Sequence, residues 1–194
     1  MGFDLHGLNP VNPHNVEKPT HNWHQEHTHK ENEIYFEKLG AYEVAVVGAH
    51  WYTNNWRWRP LWAFVFQACV DFMSTKDLQE GMDNSGYKIS KTKANKIAKR
   101  LNDLDKDGSI VQYQNEYTKR LATLPLEKCS FCKGTGIRLD PIGMELREKD
   151  PNFKCNICHG KGEVTDMSTH YPFSYREVLS FKEFCENSGG FKIC

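Results

Sequence analysis

The sequence lacks any long hydrophobic run. No stretch of the 194 residues approaches the roughly 18 to 20 consecutive apolar residues that a transmembrane helix requires. The opening residues, Met-Gly-Phe-Asp-Leu-His-Gly, also lack the basic and apolar regions of a secretory signal. We therefore expect a cytosolic protein.

An excess of charge of either sign is also missing. The 25 Lys and Arg residues balance 25 Asp and Glu residues, so the formal net charge is zero. A nonspecific nucleic-acid binder usually carries a global basic field. The composition therefore disfavours that class, although it leaves local basic patches open.

Recognisable catalytic patterns are absent as well. The sequence shows no Ser-His-Asp arrangement, phosphate loop, zincin motif or deaminase motif. If the protein is an enzyme, its site must be assembled from scattered residues that no motif reveals. We lean towards a protein that is not an enzyme.

The apolar content is adequate for a packed core. Apolar residues make up 39% of the chain and aromatic residues 12%, which excludes wholesale disorder. We predict an α+β fold: a mostly helical single domain with short strands and an inserted, zinc-stapled β-hairpin module. The predicted core domain comprises residues 1–128 and 165–194, and the predicted module comprises residues 129–164.

Hydrophobic spacing and capping residues predict individual elements. Helices are expected over 56–73, after a cap at Ser90, over 110–124, and after Ser174 with Glu177 completing a capping box. Strands or a hairpin are expected at residues 1–8 and within 33–50, and a short edge strand is expected at residues 191–193.

A repeated cysteine motif is the strongest signal in the chain. Cys129-Ser-Phe-Cys132-Lys-Gly-Thr-Gly136 and Cys155-Asn-Ile-Cys158-His-Gly-Lys-Gly162 both read C-x-x-C-x-G-x-G. Two-residue spacing lets both sulfurs of a pair reach one ion, and two pairs complete the tetrahedral shell that zinc prefers. The sequence therefore predicts one structural Zn²⁺ ion held by Cys129, Cys132, Cys155 and Cys158. The glycines suit turns with positive φ and no room for a side chain.

Basic residues surround this motif and allow two interpretations. Four thiolates and one Zn²⁺ carry a formal charge of about minus two, which nearby cations can offset. The alternative is a nucleic-acid contact patch on the module. The residues concerned are Lys128, Lys133, Arg138, Lys154 and Lys161.

An aromatic and arginine-rich segment, Asn54-Asn55-Trp56-Arg57-Trp58-Arg59, precedes Pro60. It could hold a small anionic ligand or stack on a base. Its other interpretation, which we favour, is the start of a core helix with buried Trp side chains. It is the first place to look for a bound small ligand.

Four histidines, His21, His24, His27 and His29, lie in a loop-like stretch near the start of the chain. Such His-rich segments take up transition metals. Because they commonly bind metal adventitiously, we do not assign a functional site to them.

The cysteine motif resembles the cysteine-rich region of the DnaJ co-chaperones, whose repeats also read C-x-x-C-x-G-x-G. That family carries four repeats and two zinc ions, so the two repeats at 129–164 imply one. The sequence has no His-Pro-Asp tripeptide of a J-domain. The resemblance therefore implies zinc ligation and not co-chaperone activity.

The chain as a whole resembles a group of small uncharacterised proteins of bacteriophages and bacteria. The resemblance is carried by residues 1–10, Asn55-Trp-Arg-Trp-Arg-Pro-Leu-Trp62, Asn84-Ser-Gly86, the cysteine motif and Ser188-Gly-Gly-Phe-Lys-Ile-Cys194. It implies a phage-encoded protein acting in the host cytosol.

These observations favour a non-catalytic zinc-binding accessory protein that binds a host protein or a small ligand, with host takeover or counter-defence as its setting. The alternatives are a nucleic-acid-binding protein that uses the Lys-rich module and an enzyme without visible motifs.

Overall fold

The fold is α+β, as predicted. The computed structural model describes residues 2–194, and about half of the chain is helical. Within the described residues the elements are, in chain order, β1 Gly2–Gly7, α1 His29–Ala45, β2 His50–Asn54, α2 Asn55–Ala68, α3 Thr75–Gly81, β3 Lys88–Ser90, α4 Lys91–Lys106, α5 Ser109–Ala122, β4 Glu127–Lys128, α6 Pro141–Lys149, β5 Glu163–Val164, a 3₁₀ helix Met167–His170, α7 Tyr175–Asn187 and β6 Gly190–Ile193.

The chain divides into two compact units. The main unit comprises residues 2–114 together with Pro172–Cys194, and the small unit is Asn115–Tyr171. The cysteine motif lies inside the small unit. The narrower division at residues 129 and 164 stays a prediction.

A four-stranded antiparallel sheet organises the main unit. Its strand order is β2-β1-β6-β3, so β6 is an interior strand. The expectation of an edge strand at 191–193 was therefore wrong, because β1 and β3 pair with β6 on either side. The β1–β6 pairing, with Leu5 opposite Ile193, brings residues from both ends of the sequence together.

One face of this sheet builds the core. Alternate residues of the strands, including Leu5, Ile89 and Phe191, are fully buried, as the two-residue period of a strand requires. The Trp58 and Trp62 rings of α2 stack at 5.1 Å, and Phe181 of α7 packs edge-on against both. Aromatic rings of this size bury large apolar areas, so they contribute strongly to the stability of this unit.

Helix α1 corrects the expectation of a strand or hairpin between residues 33 and 50. Its apolar residues follow no helical stripe, and Tyr42 is its only buried residue. The start signal was nevertheless present in the sequence. Thr28 and Glu31 form a complete capping box, in which each side chain bonds to the other residue's backbone N–H.

The predicted caps at Ser90 and Ser174 are confirmed, since both side chains accept a backbone N–H three residues on. The predicted capping box at Glu177 is not formed, because its carboxylate accepts hydrogen bonds from Arg57 at 2.9 Å and from Thr53 at 3.2 Å instead.

The helix expected over 56–73 ends at Ala68, where a turn leads towards α3.

None of the helices within residues 2–194 combines the length and the apolar character needed to cross a bilayer.

A buried carboxylate links α3 to α4. The Asp77 side chain is fully buried and accepts both a 2.6 Å and a 2.7 Å hydrogen bond from the Lys93 ammonium. Ser74 and Tyr87 also donate to it. Burial alone would raise the pKa of Asp77, but these donors outweigh it and lower the pKa to about 2.

We expect Asp77→Asn to lower the free energy of unfolding by about 2 to 4 kcal/mol at neutral pH, because it leaves the Lys93 charge without its partner. The native pKa of about 2 lies below the ordinary 3.8, so the ionised carboxylate stabilises the fold above about pH 4. That contribution should be lost as the pH falls from 4 to 2. Urea unfolding across this range measures it.

Glu145→Gln is the matched control, since its ion pair with Lys149 is exposed and such pairs contribute roughly 0 to 1 kcal/mol. Equal effects of the two substitutions, or an acid-induced loss that persists undiminished in Asp77→Asn, would contradict this role of Asp77.

Candidate metal centre

Two cysteine knuckles face each other in the small unit. We call 129–136 the first knuckle and 155–162 the second. The Cys129 N–H donates to the Gly162 carbonyl at 2.9 Å, and the Cys155 N–H donates to the Gly136 carbonyl at 2.8 Å. The beginning of each knuckle is thus bonded to the end of the other. The short β4–β5 ladder extends this pairing outward.

The final glycines make this close approach possible. Gly136 and Gly162 have φ values of +75° and +82°. A Cβ atom on either would lie 2.4 Å from a carbonyl oxygen of the opposite knuckle, that of Gly160 or Gly134 respectively. The role predicted for these glycines is confirmed.

The knuckles converge on four buried sulfurs. The Sγ atoms of Cys129 and Cys155 are 3.9 Å apart, and those of Cys132 and Cys158 are 3.6 Å apart. All four lie within 4.8 Å of one another. A disulfide would require about 2.05 Å, so the sulfurs are free thiols arranged as a group that can bind a metal ion.

The surroundings favour thiolate at Cys132, whereas the pKa of Cys129 is raised. Burial would raise the pKa of Cys132, but donors that include the backbone N–H groups of Gly136 and Gly134 lower it to about 7. The Gly162 N–H donates to the Cys158 sulfur at 3.2 Å. Metal ions bind the deprotonated sulfur, so the donors around Cys132 favour the form of that side chain that binds a cation.

Arg138 has a structural task beside the sulfurs. It is nearly buried, and its guanidinium donates to both carboxylate oxygens of Asp140, at 2.6 and 2.7 Å, and to Asn156 at 3.0 Å. The guanidinium also lies over the Phe131 ring. The pKa of Arg138 is raised first by Asp140 and further by Cys155, in keeping with the charge-offset interpretation.

The predicted lysines occupy different positions. The aliphatic stem of Lys128 lies over Gly134, and that of Lys154 lies over Gly160. Lys133 sits at a turn with φ of +50°, and Lys161 borders a groove. Use of these residues for nucleic acid stays a prediction.

That groove, which we call the knuckle groove, runs along the small unit and encloses about 560 Å³. Phe131 and Ile157 occupy equivalent positions in the two knuckles and are 46% and 43% exposed. Its other apolar lining residues include Leu126, Val164 and Met167. The turn geometry of each knuckle thus presents an apolar side chain outward while the sulfurs point inward.

The residues of the segment 54–59 have three different roles: one caps helix α2, one lies in the core and others lie on the surface. Asn54 caps α2, Arg57 pairs with Glu177, and Arg59 donates to Asn55. Trp58 is fully buried and donates from Nε1 to the Gly81 carbonyl, whereas Trp56 is 43% exposed. The core interpretation thus holds for Trp58. A ligand at residues 54–59 stays a prediction.

Comparison with known proteins finds no matching family model, curated protein or solved structure. The geometry of the chain itself therefore carries the functional argument.

We expect Gly136→Ala to weaken metal binding by at least tenfold, because the added methyl group would strike the Gly160 carbonyl and push the knuckles apart. The positive φ adds a cost of roughly 1 to 2 kcal/mol. Chelator competition measures the affinity, and thermal unfolding measures the stability.

Gly108→Ala is the control, since Gly108 has the same positive φ but nothing within 4 Å of an added Cβ. It should lower stability through backbone strain alone and leave metal affinity unchanged. A Gly136→Ala protein with wild-type affinity would refute the close-approach argument.

Proposed function

We propose that the protein is a non-catalytic zinc-binding accessory protein in which one Zn²⁺ ion organises the small unit for binding another protein. The distances support zinc. Four sulfurs arranged tetrahedrally at about 2.3 Å from zinc lie about 3.8 Å apart, between the 3.6 and 3.9 Å of the two measured pairs.

A structural role for the zinc ion is supported above all by the composition of the small unit's interior. Among its described residues, the buried hydrophobic side chains are the four cysteines alone, with Val164 packed against them. A unit without an apolar core cannot fold by hydrophobic burial. Metal binding must supply the folding free energy, as it does in zinc fingers.

A four-thiolate shell also decides what the ion can do. It fills all four positions of tetrahedral zinc and leaves none for water, which a catalytic zinc ion requires. The ion at the knuckles therefore acts through the surface that it stabilises.

The knuckle groove is that surface in our proposal. Its exposed apolar residues are displayed from both knuckles and suit an apolar peptide segment of a partner protein. The resemblance to phage and bacterial proteins makes a host protein the expected partner. That partner and the phage origin stay predictions, as do a small-molecule ligand and the nucleic-acid alternative.

We expect chelation of zinc to unfold the small unit while the main unit stays folded. Hydrogen exchange followed by mass spectrometry should show amide protection lost across residues 115–171 and retained in α2, α4 and α7. Cys129→Ser and Cys158→Ser should behave like the chelated protein, and Cys69→Ser, outside the knuckles, should retain zinc. Protection of residues 115–171 that survives complete metal removal would refute a structural zinc.

The partner surface is tested with a photo-crosslinking residue at position 157 and, as control, at position 70, since Val70 is exposed in the main unit. We expect a discrete crosslinked protein from position 157 alone. The double variant Ile157→Ser/Met167→Ser should bind that protein at least tenfold more weakly, and Val44→Ser/Val70→Ser should bind normally. Equal crosslinking from positions 157 and 70 would exclude the groove.

A further inference from the structure

A second group of side chains that could hold a metal ion lies in the main unit, remote in sequence from the cysteines. His6 of β1, Glu43 of α1 and His50 of β2 each offer a ligand atom, and these atoms lie within 4.8 Å of one another. All three side chains are partly exposed. Within the described residues, this is the one such group besides the four cysteines.

The sheet and the turn after α1 bring these residues together. Strand register places His6 directly opposite His50, and their rings stack at 5.2 Å. The turn after α1 is held against β1 by a 2.9 Å hydrogen bond from the Gly7 N–H to the Ala49 carbonyl. A Cβ on Gly7 would lie 2.1 Å from the Gly48 carbonyl oxygen. The backbone thus fixes the position of Glu43 near both rings.

Asp4 is placed to orient the His50 ring from outside the group, as carboxylates beside metal-binding histidines do. Its carboxylate lies 2.9 Å from His50 Nε2, while His50 Nδ1 lies 3.3 Å from the Glu43 carboxylate. If Nε2 carries the proton and donates to Asp4, Nδ1 keeps a lone pair directed towards Glu43. Metal-binding histidines almost always have such a carboxylate or carbonyl partner on their other ring nitrogen.

Charge favours a divalent cation here. Two carboxylates and two neutral imidazoles carry a formal charge of minus two, and Lys18 nearby adds one positive charge. Two histidines and one carboxylate are ligands that zinc and related transition metals accept. Ligand atoms on one zinc ion at about 2.1 Å lie about 3.4 Å apart, so binding requires a side-chain shift of about an ångström.

We propose that His6, Glu43 and His50 bind a second divalent transition-metal ion, with Asp4 orienting His50. Three protein ligands leave at least one coordination position for an outside ligand, which distinguishes this site from the closed cysteine shell. The inference goes beyond the proposed binding role and does not depend on it.

The test uses the full-length protein carrying one equivalent of zinc at the cysteines. Titration with Co²⁺, followed by native mass spectrometry and visible absorption, should show one further ion. Its spectrum should lack thiolate-to-cobalt charge transfer, and azide should alter it through the open position. A second ion that binds with thiolate charge transfer, or a spectrum that azide leaves unchanged, overturns the assignment.

Variants identify the ligands. His6→Ala and Glu43→Gln should each weaken the second ion's binding by at least tenfold, and Asp4→Asn should weaken it by about 10- to 100-fold. Glu43→Gln preserves size on a surface helix, so it tests the site without threatening the fold. The first equivalent should bind normally in all three.

Removal of the four histidines between residues 21 and 29, by His21→Ala/His24→Ala/His27→Ala/His29→Ala, is the control for adventitious binding and should leave the second ion in place. If this variant loses the ion while His6→Ala and Glu43→Gln retain it, the proposal fails. It also fails if the wild-type protein takes up no stoichiometric second ion.

Discussion

The small unit depends on the reciprocal bonding of two cysteine knuckles. Each knuckle begins with an N–H that donates to the last glycine carbonyl of the other, at 2.9 and 2.8 Å. This pairing draws four sulfurs into one group with no water-accessible surface on three of them. Four thiolates this close repel one another, and a divalent cation bound between them would offset part of that repulsion. Contact between the knuckles requires glycine at positions 136 and 162. The same turns leave Phe131 and Ile157 exposed. Arg138 is held nearby by its hydrogen bonds to Asp140 and Asn156.

The main unit is stabilised in a different way. The strands β1 and β6 pair at the centre of its sheet. The stacked indole rings of Trp58 and Trp62 are buried in its core. Asp77 adds a buried charge that is fully hydrogen-bonded, so it specifies how α3 meets α4. The main unit thus has a hydrophobic core, whereas the small unit has at its centre four cysteines that could hold a metal ion.

The features that could be predicted from the sequence are those that depend on residues close together in the chain. The spacing of Cys129, Cys132, Cys155 and Cys158 identified four sulfurs that converge into a group able to hold a metal ion. The hydroxyls of Ser90 and Ser174 marked two helix starts. Helix α1 was missed because its apolar residues lack a period, although Thr28 and Glu31 marked its beginning. The interior position of β6 and the meeting of His6 with His50 depend on strand pairing across long stretches of chain. No local pattern encodes such register, because it is set by the packing of the whole sheet.

X-ray absorption at the zinc edge, on protein loaded with a single equivalent of zinc, tests most directly whether the four cysteines hold the ion. The account predicts a first shell of four sulfur atoms at about 2.3 Å, without nitrogen or oxygen. A shell dominated by nitrogen or oxygen at about 2.0 to 2.1 Å would contradict it, because the first ion would then lie outside the cysteine group.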